Sequence, residues 1–159
     1  IRGSSWNAVI ESGAARGLGE AADPRAIPLL VEASKVGKDE ALRRAALEAL
    51  AKAGQLLEGE RTAAVEAIRE QLDDPMFLVQ RSAVVAAEEL RDRRFLAVLD
   101  RLSYAGFDGR NRRDAAEAAV RIRESEKVPA QVTGLRSDLD ALREEQRKLQ
   151  EQIEAISRT

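Results

Sequence analysis

Few residues in this chain could carry out catalysis or bind a metal. It contains no histidine and no cysteine, which excludes mechanisms that need an imidazole or a thiolate and zinc sites built from either. Carboxylate chemistry is left, and three adjacent pairs could supply it: Asp73-Asp74, Glu88-Glu89 and Glu144-Glu145. Neighbours in a helix point about 100° apart and do not face one substrate. We therefore expect these pairs to be solvated or to cap helices, and predict no catalytic residue, metal or cofactor in this chain.

Gly17-Leu18-Gly19 resembles the start of a dinucleotide-binding turn, which requires a preceding strand. The apolar residues before this segment recur at helical spacing instead. We therefore interpret Gly17 as a position of close helix approach and Gly19 as the end of a helix.

Small side chains recur in pairs along the chain. Four such pairs are separated by 32, 37 and 32 residues: Ala14-Ala15, Ala46-Leu47, Ala83-Val84 and Ala115-Ala116. A period between about 20 and 50 residues is typical of solenoids built from helix pairs. The aromatic content is only 3%, which favours helices packed closely through small side chains. The sequence therefore predicts an all-α fold: an α-solenoid of about four helix pairs, followed by one long C-terminal helix.

Turn signals divide the repeats into helices. Asp23-Pro24 predicts a helix start, because Asp caps free N–H groups and Pro suits the first helical position. Asp73-Asp74-Pro75 repeats this signal where a later unit begins. Asp39 is expected to cap a helix that Gly54 closes. Leu50 lies on the apolar stripe of that helix, and we predict that it is buried between units.

Four arginines fall at similar places in successive units: Arg25, Arg43, Arg81 and Arg112. They could form a row of ligand-binding side chains, or they could lie on the seams between units. We favour the seams, where they would pair with acidic residues and cover apolar surface with their stems. Basic clusters at residues 91–94 and 110–113 lie beside acids and lack a stacking aromatic, so no nucleic-acid partner is expected.

The last part of the chain has a different periodicity. After an interruption at Val128-Pro129, aliphatic residues recur at spacings of three and four, as in a heptad repeat. Its a and d positions include Leu139, Gln146 and Leu149. The pattern predicts a solenoid over residues 1–127 and an amphipathic, coiled-coil helix within 128–159. Its apolar stripe must be covered by a second copy in a weak homodimer, by the last repeat or by another domain.

Overall composition sets broader expectations. The 26 basic and 28 acidic residues are interspersed and give a net charge of −2, which is typical of solvated helix faces. No apolar run is long enough to span a membrane and no signal-peptide pattern opens the chain, so a cytoplasmic location is favoured. The first residue is Ile1 rather than Met, and we expect a piece of a longer polypeptide. Trp6, the sole tryptophan, would plug the core or contact an upstream domain.

Two strings resemble known families. The segment from Asp23 to Leu30, preceded by a helix ending Ala-Ala-Arg-Gly-Leu-Gly, resembles a HEAT repeat, and the likeness spans residues 6–122. A longer combination resembles the C-terminal HEAT-like region of bacterial M1-family zinc aminopeptidases: Ser5-Trp6 with Val9-Ile10, Gly13-Ala14-Ala15-Arg16-Gly17-Leu18, Gly37-Lys38, and Leu42-Arg43-Arg44-Ala45-Ala46-Leu47-Glu48-Ala49-Leu50.

The aminopeptidase resemblance implies a parent enzyme that removes N-terminal residues from peptides, with zinc held in an upstream catalytic domain. None of that domain's motifs matches a position here, so no catalytic residue is carried over. This chain would be a non-catalytic domain that packs on the catalytic domain of the same polypeptide and shapes access of the peptide substrate. The alternative is a free-standing HEAT-repeat adaptor that binds a partner protein. An upstream His-Glu-x-x-His motif would decide between the two.

Overall fold

Seven α-helices follow one another in the part of the chain that the structure describes. The computed structural model describes the backbone of residues 4–106 and 108–157, and the side chains of residues 9–106, 108–125, 139 and 141–147. The helices are α1 (Ser4–Ala21), α2 (Ile27–Ser34), α3 (Glu40–Leu56), α4 (Arg61–Gln71), α5 (Phe77–Leu90), α6 (Leu96–Ala105) and α7 (Gly109–Ser157). One turn of 3-10 helix precedes each of α2, α4 and α6.

The helices pack as sequential pairs. The first helices α1, α3 and α5 contact one another in order, and α2 and α4 contact each other as well as the first helices beside them. The beginning of α7 follows α5 as the next first helix, and its Ala115, Ala118 and Ala119 belong to the same apolar core. The predicted all-α architecture of HEAT-like helix pairs is therefore confirmed.

Small side chains set the spacing around α3. Ala45, Ala46, Ala49 and Ala53 are all at most 1% exposed, because α3 contacts α1, α2, α4 and α5 and is covered on most of its circumference. Leu50 is fully buried among these helices, as predicted. The core is thus built from closely approaching backbones, with leucine side chains filling the space between them.

The structure contradicts the predicted roles of Gly17 and Gly19. Gly19 does not end its helix, since α1 continues to Ala21 and the chain turns at Ala22, which has a φ of 48°. A Cβ atom at Gly19 would lie 2.7 Å from the Cα of Ala49 in α3, whereas one at Gly17 would meet nothing within 4 Å. Gly19 is therefore the position of close helix approach, because only a hydrogen fits between the two backbones there.

One other boundary prediction shifts, because helix α3 runs past the buried Gly54 to Leu56. The two Asp-Pro signals lie where they were predicted: Asp23-Pro24 begins the second helix of a pair, and Asp73-Asp74-Pro75 lies between pairs, immediately before α5. An Asp followed by Pro therefore marks a helix start both within a pair and between pairs.

Helix α7 continues through the position where an interruption was predicted. Residues 109–157 are helical, including Val128 and Pro129. A proline inside a helix removes one main-chain donor, and here helix-favouring residues on both sides carry the helix past it. The chain comprises two compact units, Ile1–Arg123 and Glu124–Thr159. Within the described ranges, no helix combines the length and apolarity needed to cross a membrane.

Candidate functional site

Arg43 is a buried hub between successive units. It lies one turn into α3, and its side chain is 2% exposed. Its Nε donates to the carbonyl oxygen of Ser34 at 3.1 Å, its Nη2 donates to Oε1 of Gln71 at 2.7 Å, and the guanidinium pairs with Asp74. Asp74 also accepts a hydrogen bond from the main-chain N–H of Met76 at 2.8 Å. One side chain therefore ties the ends of α2 and α4 to the start of α5, and it is not free to bind a ligand.

The next seam uses amides instead of a guanidinium. Gln80 lies four residues after Met76, which precedes α5, just as Arg43 lies four residues after Asp39, which precedes α3. The Nε2 of Gln80 donates to the carbonyl oxygen of Leu72 at 3.0 Å. Asn111 in α7 donates to Oε1 of Gln80 at 2.7 Å. The Oδ1 atom of Asn111 is buried and has no hydrogen-bond partner in the described part of the chain. Polar side chains thus recur on the seams, but the residue types change from unit to unit.

The other predicted arginines do not share the position of Arg43. Arg25 lies in the turn before α2 and pairs with Asp23 at 2.6 Å. Arg81 is half exposed on α5, and its Nε lies 3.3 Å from Oδ2 of Asp114. Arg112 stands four residues into α7 but is exposed. The four arginines therefore form neither one row of ligands nor one type of seam contact.

Charged side chains instead link successive first helices across their exposed side. Four pairs join residues about one repeat apart: Arg16 with Glu48, Lys52 with Glu20, Arg81 with Asp114, and Arg121 with Glu88. Exposed pairs of this kind contribute little to stability, because water screens them and both side chains lose freedom. Their consequence is that the side formed by α1, α3, α5 and α7 is covered with cations and carboxylates.

Two adjoining clefts open on this side along α5. The first encloses about 280 Å³ between α3 and α5, and it is lined by Arg16, Arg44, Glu48, Leu78 and Arg81, with Val85 and Glu89 further along α5. The second cleft shares Val85 and Glu89 and reaches Arg91. Leu78 and Val85 are 37% and 55% exposed. We call the first cleft, with its shared end at Val85 and Glu89, the α5 groove.

The α5 groove could not be predicted from the repeat pattern. Counted from the residue before each helix, Val85 stands nine residues after Met76, where α3 and α7 carry Glu48 and Glu117. A polar position in two repeats is therefore an aliphatic one in α5. The signal is visible only after the helices are aligned by their first residues.

The second helices α2 and α6 begin with an Asp-x-Arg motif that was not predicted from the sequence, whereas the turn before α4 has no side-chain cap. Asp23 accepts a hydrogen bond from the main-chain N–H of Arg25, and Asp92 accepts one from that of Arg94, both at 2.9 Å. The side chain of Arg94 then donates back to Asp92, and this contact, with the main-chain bond, lowers the pKa of Asp92 to about 2. Arg25 lowers the pKa of Asp23 in the same way. The signal in the sequence is the Asp-x-Arg spacing at residues 23–25 and 92–94.

The adjacent acidic pairs are divided between different partners. Asp73 accepts from Nη2 of Arg101 at 2.6 Å, while its neighbour Asp74 is held by the buried Arg43. Glu144 pairs with Arg147 at 2.9 Å along α7. Among the residues with described positions, no group of three or more acidic side chains is arranged to hold a metal ion.

The candidate residues at the two ends of the chain lie in helices. Trp6 is in α1 and Leu149 is in α7, and the side chains of both lie outside the described residues. Leu139 and Gln146 in α7 are exposed, and Leu139 is 47% exposed. Their part in covering the heptad stripe stays a prediction.

The sequence matches one family model. Residues 12–35 and 42–74 match the PBS lyase HEAT-like repeat. The first match covers the end of α1 and all of α2, and the second covers most of α3, all of α4 and the loop to Asp74. Each match is thus one helix pair, and α5 and α6 continue the same arrangement. No curated protein matches the chain at a significant level.

Proposed function

We propose that this chain is a HEAT-repeat module that binds another protein through the exposed side of its first helices. The observation that carries the proposal is the α5 groove, where Leu78 and Val85 leave aliphatic surface exposed among charged side chains. Protein-binding surfaces commonly combine an apolar centre with a charged rim. A stacked array of helix pairs presents such a surface over a long distance without forming a deep pocket.

The proposal is tested by affinity purification from the cells that produce the protein. The immobilised wild-type chain is compared with Val85→Asp in the groove and with Leu29→Asp, a matched change at an exposed leucine of α2. We expect the wild type and Leu29→Asp to retain the same partner proteins in equal amounts, and Val85→Asp to lose these proteins. Recovery of the same proteins on Val85→Asp, or of none above the empty resin, would contradict a binding role for this side.

The more specific assignment to an M1-type zinc aminopeptidase rests on the resemblance of the residue strings alone. The family match is to HEAT-like repeats and carries no peptidase term. We therefore prefer the adaptor role and assign neither an upstream catalytic domain nor a peptide substrate as a partner. Zinc would belong to that parent enzyme only.

A second proposed interaction is weak homodimerisation through the C-terminal part of α7. Leu139 and Leu142, at neighbouring a and d positions, are 47% and 65% exposed. The ion pair between Glu144 and Arg147 joins positions f and b, on the opposite side of the helix from the a and d stripe. Asp138 at g and Arg143 at e would pair between parallel helices.

Sedimentation across a concentration series tests the dimer. Leu142→Lys places a charge in the a and d stripe, and Ala141→Lys places the same charge at the neighbouring c position. We expect the mass of the wild type and of Ala141→Lys to rise with concentration, and that of Leu142→Lys to stay monomeric. A wild-type chain that is monomeric at every concentration would dismiss the coiled-coil dimer.

A further inference from the structure

We infer that the α5 groove receives an acidic amphipathic helix of a partner protein, whose aliphatic residues contact Leu78 and Val85 and whose carboxylates meet Arg44 and Arg81. This inference rests on the proposed protein-binding function and names the chemistry of the partner. It follows from the spacing of the aliphatic residues, from the three arginines of the lining, which outnumber its two carboxylates Glu48 and Glu89, and from the absence of aromatic residues in the lining.

The aliphatic residues of the groove lie on one stripe of α5. Leu78 and Val85 are seven residues, or two helical turns, apart, which is about 10 Å at 1.5 Å per residue. Both line the same cleft, with Ala86 beside them. A partner helix laid along α5 presents aliphatic side chains at the same interval if they are spaced seven residues apart. Two contacts of this kind fix the position of the helix along α5 and align its axis with that of α5.

The arginines of the groove retain donors for a partner. Nε of Arg44 donates to Ser82 at 3.3 Å, and its Nη1 lies 3.8 Å from Glu40. The Nε of Arg81 lies 3.3 Å from Oδ2 of Asp114. Each guanidinium has five N–H donors in a planar fork that matches a carboxylate. Both side chains are about half exposed, so their terminal nitrogens are accessible to a carboxylate from outside.

The groove is not suited to single-stranded nucleic acid. Sites of that kind stack bases on aromatic side chains beside basic residues. The residues that line the two adjoining clefts include no aromatic residue. The aliphatic floor at Leu78 and Val85 gives a peptide something to bury, whereas it gives a phosphate backbone nothing. The shared lining therefore favours a peptide with both apolar and acidic side chains.

Selection from a random 16-residue peptide library displayed on phage tests the inference. The target is the 159-residue chain, and the recovered peptides are then measured as synthetic, fluorescent probes. We expect the recovered peptides to be rich in Asp and Glu, to carry aliphatic residues seven apart, and to bind more weakly as salt concentration rises. We expect Val85→Asp, and the pair Arg44→Glu with Arg81→Glu, to weaken binding about tenfold or more.

Matched variants on the other side separate the outcomes. Leu29→Asp and Arg69→Glu change an exposed leucine of α2 and an exposed arginine of α4, and both should leave binding unchanged. All variants must keep the helical spectrum and the thermal midpoint of the wild type. Peptides that are basic, or that bind regardless of the groove substitutions, overturn this inference but leave a protein-binding role intact. Failure to enrich any peptide contradicts both.

A labelled 30-nucleotide oligo-dT strand serves as the probe for nucleic acid. The contrary result is that the wild-type chain binds this strand, with Arg44→Glu and Arg81→Glu together abolishing the binding and Val85→Asp leaving it unchanged. That result would assign the groove to phosphates and overturn the inference of a peptide ligand. We expect the wild-type chain to bind the strand no more tightly than Arg44→Glu with Arg81→Glu does at physiological salt.

Discussion

The guanidinium of Arg43 and the carboxylate of Asp74 form an ion pair in which the side chains are only 2% and 1% exposed. The two residues are 31 positions apart and belong to different parts of the array. A buried pair costs solvation on both sides, and breaking it leaves one charge without a partner. The seam between α2, α4 and α5 therefore depends on both residues being present.

Arg43→Ala should lower the free energy of unfolding by about 3 to 5 kcal/mol, because Asp74 would stay buried and unpaired. The double variant Arg43→Met with Asp74→Asn removes both charges and should cost less. The neighbouring Arg44→Ala, at an exposed position, should cost less than about 1 kcal/mol. Urea denaturation measures all three, and equal losses for Arg43→Ala and Arg44→Ala would show that the buried pair is not important for stability.

Gly19→Ala should destabilise the fold by about 1 to 3 kcal/mol, because the added methyl group would overlap the backbone of Ala49 in α3. Gly17→Ala, two residues earlier in the same helix, meets open space and should stabilise by about 0.5 to 1 kcal/mol. Thermal denaturation of the two variants shows whether each substitution lowers or raises the midpoint relative to the wild type. If both substitutions stabilise, α1 does not approach α3 as closely as the structure shows.

Leu50→Ala should lower stability by about 2 to 5 kcal/mol, since the side chain is fully buried between helices and its loss leaves a cavity. Glu48, two residues away, is exposed and pairs with Arg16 at the surface, so Glu48→Ala should cost less than about 1 kcal/mol. Denaturant midpoints of the two variants measure these losses. If Glu48→Ala lost more stability than Leu50→Ala, the buried face of α3 would be wrongly assigned.

The free energy of unfolding should decrease as the pH is lowered through the titration of Asp92. The pKa of Asp92 is lowered from 3.8 to about 2 by the side chain of Arg94 and by a main-chain hydrogen bond. Its contribution is complete above the unfolded value of 3.8 and is lost as the pH falls toward 2, on the order of 2 kcal/mol in total.

Asp92→Asn should remove that part of the pH dependence. Unfolding free energies measured at about pH 6 and about pH 2.5 should then differ less for Asp92→Asn than for the wild type. A variant that loses as much stability as the wild type over this interval would show that Asp92 is not held by Arg94 in solution.

The sequence by itself determined the fold class. Small-residue pairs recurring at 32, 37 and 32 residues, with capping residues such as Asp39 between them, specify helix pairs because helical periodicity and capping are local properties. The burial of Leu50 follows from the same pattern. The absence of His and Cys likewise limits the chemistry without reference to any structure.

The tertiary structure alone decided which side chains meet. Arg43 and Arg112 stand at the same place in their helices, yet one is buried against Asp74 and the other is exposed. Gly19 and Gly17 differ only in which of them lies opposite Ala49. Likewise, Leu78 and Val85 become a groove because α3 lies beside α5. Each distinction depends on contacts between residues about one repeat apart, and the rotation of one helix against the next is not encoded in local spacing.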